Sequence, residues 1–174
     1  MEQPITPATT KGVVIGLILV VIVIATYLAK MDVNGPAKWI GNATFIIGII
    51  WAVNYYGKQI NYHSTFGNYF AHGFKVTAVV TVIMILFLVV FVMVFPEFKE
   101  KAMEQGRMQM HQKNMTDEQI NQAMEMTKKF FMVFVIGGSL VVYLIFGSLA
   151  SLVGAAITKK EPNRFPGDTN QTAP

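Results

Sequence analysis

The sequence predicts an all-α integral membrane protein, a four-helix bundle with a polar helical hairpin extension between spans 3 and 4. Three observations predict this fold class. Hydrophobic residues make up 53% of the 174 residues and charged residues 14%, whereas soluble domains average about 45–50% and about 25%. Four long apolar runs divide the chain. One polar segment, residues 96–129, separates the last two runs and carries signals for helix formation.

The four apolar runs cover residues 12–29, 39–56, 74–95 and 130–157. A helix rises about 1.5 Å per residue, so about 17–25 apolar residues cross a hydrocarbon core of about 30 Å. The first two runs are just long enough to cross this core, the third is within the required length, and the fourth is long enough to cross it at a tilt. Because backbone amides must be paired in lipid and the runs lack the alternation of barrel strands, we predict helices.

The two ends of the chain are predicted to lie outside this membrane domain. Residues 1–11 form an N-terminal tail, and residues 158–174 form a flexible polar tail that is too polar to fold alone. The first run follows Lys11 and exceeds the about 7–15 apolar residues of a secretory signal. We therefore expect an uncleaved membrane anchor.

Composition and motifs argue against several function classes. The chain has no cysteine, which excludes thiolate chemistry and disulfides. Its net charge of +4 comes from basic residues spread along the helix ends, so no nucleic-acid partner is expected. No nucleophile elbow, phosphate loop or paired carboxylates occur, and no Asp, Glu, Lys, Arg or His falls within residues 13–29, 40–56, 76–95 or 130–157. We expect no enzyme, no cofactor, no metal site and no proton-coupled transport.

The polar insert between the third and fourth runs is predicted to be a hairpin of two helices. Thr116 and Gln119 have the spacing of a capping box, and a helix that starts there has no Pro or Gly before Gly137, so it should run straight into the fourth span. The hairpin would turn near Lys113-Asn114. Its two apolar stripes, which are expected to pack on each other, contain Phe98, Met103, Ile120 and Met124.

Two alternatives remain open for this insert. Its stripe would also suit an amphipathic segment lying flat in the membrane interface. Soft thioethers bind Cu(I), so a second alternative is a copper site built from methionines beside His111; methionine is, however, a common filler of apolar stripes. Those methionines are Met103, Met108, Met110 and Met115.

Small residues recur at a spacing of four on two of the spans. Such faces let helix backbones approach closely. Packing within the bundle is the simpler interpretation, and association with a second protein is the alternative. The residues concerned are Gly12 and Gly16 in the first span and Gly147, Ser151 and Ala155 in the fourth.

The short segment 57–73 contains His63 and His72 among several Tyr and Phe residues. Two histidines without a neighbouring carboxylate make a poor metal site, so this segment is expected to be an aromatic belt at the headgroup level. Four spans would put both termini on one side. On that side basic residues outnumber acidic ones, whereas segment 96–129 is balanced in charge, which favours cytoplasmic termini.

The chain resembles an uncharacterised bacterial family of four-span membrane proteins, a domain of unknown function, over about residues 10–160. The segments that carry the resemblance are "TFGNYFAHGFKV" (65–76), "FPEFKEK" (95–101), "MTDEQINQAM" (115–124) and "LVGAAITKKE" (152–161). The resemblance implies a multi-pass protein of the inner (cytoplasmic) membrane with both termini in the cytoplasm. It implies no activity and no functional residue.

The leading functional hypothesis is a non-enzymatic accessory subunit of an inner-membrane complex. It would dock through the hairpin or the small-residue faces, with membrane lipids and another inner-membrane protein, or further copies of itself, as partners. The alternative is a small transporter or lipid-handling protein with a groove between the spans. A membrane enzyme acting through His63 and His72 ranks last. The groove of the alternative would be lined by Asn42, Asn54, Thr81 and Ser148.

Overall fold

Every regular element of the protein is an α-helix in the part of the chain described by the computed structural model, residues 5–31 and 37–159. These residues form six helices and no strand, which confirms the all-α prediction. The helices are α1 (Ala8–Leu28), α2 (Ala37–Gln59), α3 (Phe66–Val94), α4 (Pro96–Gln112), α5 (Asp117–Lys129) and α6 (Phe131–Ile157).

Among the described helices, α1, α3 and α6 are long and apolar enough to cross a membrane. They contain 21, 29 and 27 residues, which correspond to about 32, 44 and 41 Å and exceed a hydrocarbon core of about 30 Å. Helix α2 has 23 residues but a lower hydropathy, because Asn42, Asn54 and several Tyr and Trp residues interrupt its aliphatic sequence. Three of the four predicted runs therefore form helices that are long and apolar enough to cross a membrane.

The four long helices pack in the cyclic order α1, α3, α6, α2, with a further contact between α2 and α3. Across the described residues, α1 and α6 do not contact each other. Helix α3 touches all three others and is the most deeply packed. The apolar core between the helices consists of Ile15, Leu19, Phe45, Ile49, Ala52, Val76, Val80, Met84 and Ala150.

The two ends of the bundle differ in how closely the helices approach. At the end that holds the start of α1 and the end of α6, Gly73 of α3 lies directly under Val53 and Ser151. An added Cβ there would come within 2.7 Å of both side chains. Glycine thus brings three helices together, and this end is tightly closed.

At the opposite end, α4 and α5 form an antiparallel hairpin that is anchored by local hydrogen bonds. The Gln119 N–H donates to Thr116 Oγ1 at 3.4 Å and the Thr116 N–H donates to Gln119 Oε1 at 3.1 Å, which is a complete capping box. Asn114 makes the turn with φ 55°, a left-handed conformation that Asn tolerates well. Ile120 is fully buried.

The predicted continuous helix from residue 116 into the fourth span is wrong, because the structure breaks it at Phe130. This residue has φ −109° and ψ 21°, although its N–H still donates to Met126 O at 2.9 Å. The next residue, Phe131, is buried, and the Lys99 ammonium of α4 lies 5.3 Å from its ring centre. Packing of Phe131 against α4 accompanies the break, and no local sequence signal encodes such a contact.

The predicted loop at residues 57–73 is also too long. Helix α2 extends to Gln59, and α3 begins at Phe66, where Thr65 Oγ1 accepts from the Asn68 N–H at 3.4 Å. Because α3 starts earlier than the predicted span at residue 74, His72 lies inside a helix. This shift places an ionisable side chain within the bundle.

Candidate functional site

Lys11 is buried at the tightly closed end of the bundle. Its side chain lies between α1, α2 and α3 and is only 3% exposed. The ammonium Nζ donates to Gln59 Oε1 at 3.1 Å and lies 3.4 Å from His72 Nε2. Because an ammonium can only donate, Nε2 accepts and the proton of the neutral imidazole sits on Nδ1.

Gln59 and the aromatic rings complete the surroundings of this ammonium. The Gln59 side chain also accepts from the Thr6 N–H at 3.3 Å and donates to Thr6 Oγ1 at 2.9 Å. The Tyr56 ring stacks on His72 with ring centres 4.0 Å apart. Lys11 Nζ lies 5.1 Å and 5.5 Å from the ring centres of Tyr55 and Tyr56, which is within cation–π range.

No carboxylate lies near Lys11 in the described part of the chain. The acidic residues of that part all belong to the hairpin at the opposite end of the bundle, whereas Glu2, Asp32, Glu161 and Asp168 lie outside the described residues. Among the described residues, the neighbours of the Lys11 ammonium are therefore neutral acceptors and aromatic rings. The acidic residues of the hairpin are Glu97, Glu100, Glu104, Asp117, Glu118 and Glu125.

The hairpin end of the bundle is hollow. A partly open cavity of about 490 Å³ lies between α2, α6 and the start of α4, and its walls are mainly aromatic and aliphatic. Asn42, Ser139 and Tyr143 supply the polar groups of its wall, and Gly138 contributes no side chain. The apolar wall is formed by Phe45, Ile46, Leu88, Phe98, Ala102, Phe131, Phe134, Val135, Val142 and Phe146.

A second cavity of about 250 Å³ adjoins the first on the side of α1. The two share Asn42, Phe45, Phe98 and Tyr143 as lining residues. The rings of Phe45 and Tyr143 meet edge to face with their centres 5.2 Å apart. These two rings form the partition between the cavities.

Comparison with known proteins finds one family. The family model described as "Protein of unknown function (DUF4199)" matches residues 10–160. The chain belongs to the DUF4199 family. This result confirms the resemblance to a domain of unknown function. No curated protein matches the chain, and no solved structure does.

In this DUF4199 chain, the predicted small-residue faces are used for contacts within the bundle. Gly12 lies against Val79, and Gly147 lies against Thr77. Gly16 lies against Ile83, while Ser151 and Ala155 are fully buried. The packing interpretation therefore holds for all five, and a partner would need another surface.

The predicted hairpin contacts also face inward. Ile120 is fully buried, and Met103 and Met124 are half-buried. Phe98 packs edge to face on Phe91 with ring centres 5.4 Å apart and lines both cavities. The outer surface of the hairpin is mostly polar, although Met108 and Met126 are exposed, and one of its hydrogen bonds joins Arg107 Nη2 to Asn121 Oδ1 at 3.3 Å.

The four polar residues predicted to line one groove do not converge. Asn42 lines both cavities at the hairpin end, whereas Asn54, Thr81 and Ser148 line neither. The Thr81 hydroxyl instead donates to the Thr77 carbonyl of its own helix at 2.8 Å. Of these four residues, only Asn42 belongs to the cavities, and their aromatic wall was not predicted from the sequence.

The roles expected for Lys11 and His72 are corrected. Lys11 was expected to be a lysine flanking the membrane, and His72 was placed in an aromatic interfacial loop, but both are buried in one cluster. His63 lies in the loop between α2 and α3 and is exposed. Among the described residues, no three His, Asp or Glu side chains are grouped as a metal site would require.

Proposed function

We propose that this protein is a non-enzymatic lipid-handling protein that holds an apolar, lipid-like molecule in the cavity between α2, α4 and α6. The observation that carries the proposal is the cavity itself. Its volume of about 490 Å³ falls within the about 300–1,000 Å³ of small-molecule sites. Its aromatic and aliphatic wall suits a hydrocarbon chain, and Asn42, Ser139 and Tyr143 provide the few polar groups that orient a ligand.

We further propose that all four long helices cross the membrane. Gln59 at the end of α2 contacts Lys11 near the start of α1, while Phe45 near the start of α2 meets Tyr143 near the middle of α6. Helix α2 therefore runs antiparallel to α1 along the bundle. With four crossings, the charge balance and the family resemblance favour the inner membrane of a bacterium and cytoplasmic termini.

Two adjacent glycines of α6 provide a matched test of the cavity. An added Cβ meets nothing within 4 Å at either Gly137 or Gly138, but only Gly138 lines the cavity. Gly138→Leu should fill the cavity, and Gly137→Leu should not. We expect about tenfold weaker retention of a photoactivatable fatty-acid probe in Gly138→Leu, which corresponds to about 1.4 kcal/mol.

Both variants replace glycine by leucine at neighbouring positions of one helix, so their gain in helix propensity is the same. The probe is added to the purified full chain in mild detergent, crosslinked, and the labelled peptide is identified by mass spectrometry. Labelling should fall on α6 and α4 in the unaltered protein. Equal labelling of both variants would disprove the cavity as the binding site.

The second proposed function is the accessory subunit that docks on another membrane protein. Its support is the hairpin, whose apolar stripes are already paired and whose complete capping box holds it in one conformation. A preorganised polar surface outside the membrane is suited to binding because little conformational entropy is lost. The small-residue faces no longer contribute to this proposal.

Docking through the hairpin is tested by site-specific crosslinking, because the chain has no cysteine of its own. Gln112→Cys places a thiol at the exposed tip of α4, and Lys159→Cys places one at the other end of the bundle. In native membranes we expect one adduct of reproducible mass from the tip variant alone. A doubled mass would identify a second copy of the chain. Identical adducts from both variants, or none, would argue against docking.

A further inference from the structure

A groove on the surface of the closed end of the bundle lies beside the buried Lys11 cluster. It is a cavity of about 480 Å³ between the start of α1 and the first half of α3. Its polar lining includes Thr6, Thr9, His72 and Lys75. Its apolar lining consists of Ile5, Pro7, Ala8, Ala78 and Val79, and Tyr56 completes the wall.

The charge around this groove is positive. Lys75 belongs to its wall, and the Lys11 ammonium lies behind the neutral His72 ring, 3.4 Å from its Nε2. The described residues bring no carboxylate to this end of the bundle. A buried cation that has no carboxylate among its described neighbours attracts an anion, because the surrounding dielectric constant is low.

The start of α1 adds hydrogen-bond donors to the same groove. Thr9 lies in the first turn of α1, where backbone N–H groups have no partner within the helix. The first turn contains no acidic residue, and Pro7 at the N-cap offers no side-chain hydrogen bond. The positive end of the helix dipole is thus left without a negative group from the described chain.

Along α3, the polar lining of the groove is followed one helical turn later by an apolar lining. Lys75 and Val79 are four residues apart on α3 and therefore lie on one face of the helix. Helix α3 has 29 residues, about 44 Å, which exceeds the hydrocarbon core by about 14 Å. Its first turns can therefore lie at the headgroup level, with Ala78 and Val79 one turn deeper, beside the acyl chains.

We propose that this groove binds the phosphate group of an anionic membrane lipid. Lys75, the Thr9 hydroxyl and the first-turn amides of α1 donate to the phosphate oxygens. The Lys11 ammonium lies behind the neutral His72 ring and adds to the positive potential. Ala78 and Val79 contact the upper part of an acyl chain. This site is distinct from the proposed apolar cavity, which lies at the opposite end of the bundle.

The first test compares lysines at the same end of the bundle. Lys75 and Lys58 are both exposed, but only Lys75 lines the groove. Full-length protein is exchanged into detergent that contains phosphatidylglycerol or phosphatidylcholine, and the bound lipid is counted by native mass spectrometry. We expect Lys75→Gln to lower the retention of phosphatidylglycerol about fivefold, with less than twofold change for Lys58→Gln.

A second variant separates binding from folding. Thr9→Glu places a carboxylate in the groove and at the positive end of the α1 dipole, which should preserve or raise the melting temperature. The same charge repels a lipid phosphate, so retention of phosphatidylglycerol should fall. If Thr9 had only a structural role, its substitution would not lower the retention of phosphatidylglycerol while the melting temperature is preserved or raised.

The remaining arms identify the source of the phosphate group. Inorganic phosphate should compete weakly, because it lacks the acyl chain that Ala78 and Val79 would contact. If inorganic phosphate displaces the lipid as readily as soluble phosphatidylglycerol does, the assignment to a lipid is overturned. The proposal also fails if the unaltered protein retains both lipids equally, or if Lys75→Gln and Lys58→Gln lower retention to the same extent.

Discussion

Gly147→Ala is expected to destabilise the folded protein by about 2–3 kcal/mol, the largest effect of any single methyl group added to the bundle. A Cβ at Gly147 would overlap the side chain of Thr77 on α3. Thr77 is fully buried, so its side chain has no space into which it can turn. Helices α3 and α6 must therefore separate, although their contact is the most extensive in the molecule. Unfolding of the purified protein by SDS in mild detergent measures the change.

The control is Gly137→Ala in the same helix. An added Cβ meets nothing within 4 Å there, so this variant should be neutral or more stable by up to about 1 kcal/mol. Thr77→Ala should partly rescue Gly147→Ala, because it removes the overlapping atoms and sacrifices no hydrogen bond: the Thr77 hydroxyl has no partner in the described structure. Equal effects of the two glycine substitutions would show that α3 and α6 do not pack as described.

The hairpin shows which features of the fold can be predicted from local sequence. The capping box of Thr116 and Gln119 depends only on residues three positions apart, and the start of α4 at Pro96 follows from the fixed φ of proline. The helical character of the apolar runs is equally local, since the backbone must satisfy its own hydrogen bonds in lipid. The break at Phe130 depends on tertiary contacts of Phe131 and was therefore missed.

The buried cluster was missed because its members lie far apart in the sequence. Lys11 is separated from Gln59 by 48 residues and from His72 by 61. One signal was nevertheless present. Lys11, Ile15 and Leu19 follow one another at a spacing of four, and all three lie on the buried face of α1. Continuing the buried face of a helix by one turn would have placed Lys11 inside the bundle.

The hollow end of the bundle has a similar explanation. Asn42 was singled out as polar, but the wall of the cavity is built from Phe and Tyr residues that any apolar span contains. Gly138 lies where space is left open, whereas Gly147 lets two helices touch. The same residue type thus has opposite roles at positions 138 and 147, and only the neighbouring helix distinguishes them.

Gln59→Leu is expected to destabilise the protein by about 2–3 kcal/mol, because it removes the acceptor closest to a buried ammonium. Gln59 Oε1 accepts from Lys11 Nζ at 3.1 Å, and Lys11 is 3% exposed, so water cannot readily replace the amide. After the substitution, His72 and two Tyr rings remain around the charge. Unfolding by SDS in mild detergent gives the change in the free energy of unfolding.

The decisive measurement is a double-mutant cycle with Lys11→Met. Methionine fills a similar volume without the charge, so its own cost should be only about 1 kcal/mol or less, since a buried cation contributes little net stability. In that background Gln59→Leu should cost about 1 kcal/mol, which leaves a coupling energy of about 1–2 kcal/mol. Lys58→Met, at an exposed lysine next to Gln59, should show a coupling near zero with Gln59→Leu.

The outcome that would contradict this prediction is an equal cost of Gln59→Leu with and without the Lys11 ammonium. Gln59 would then act through its bonds to Thr6, and the ammonium would be stabilised by His72 and the aromatic rings instead.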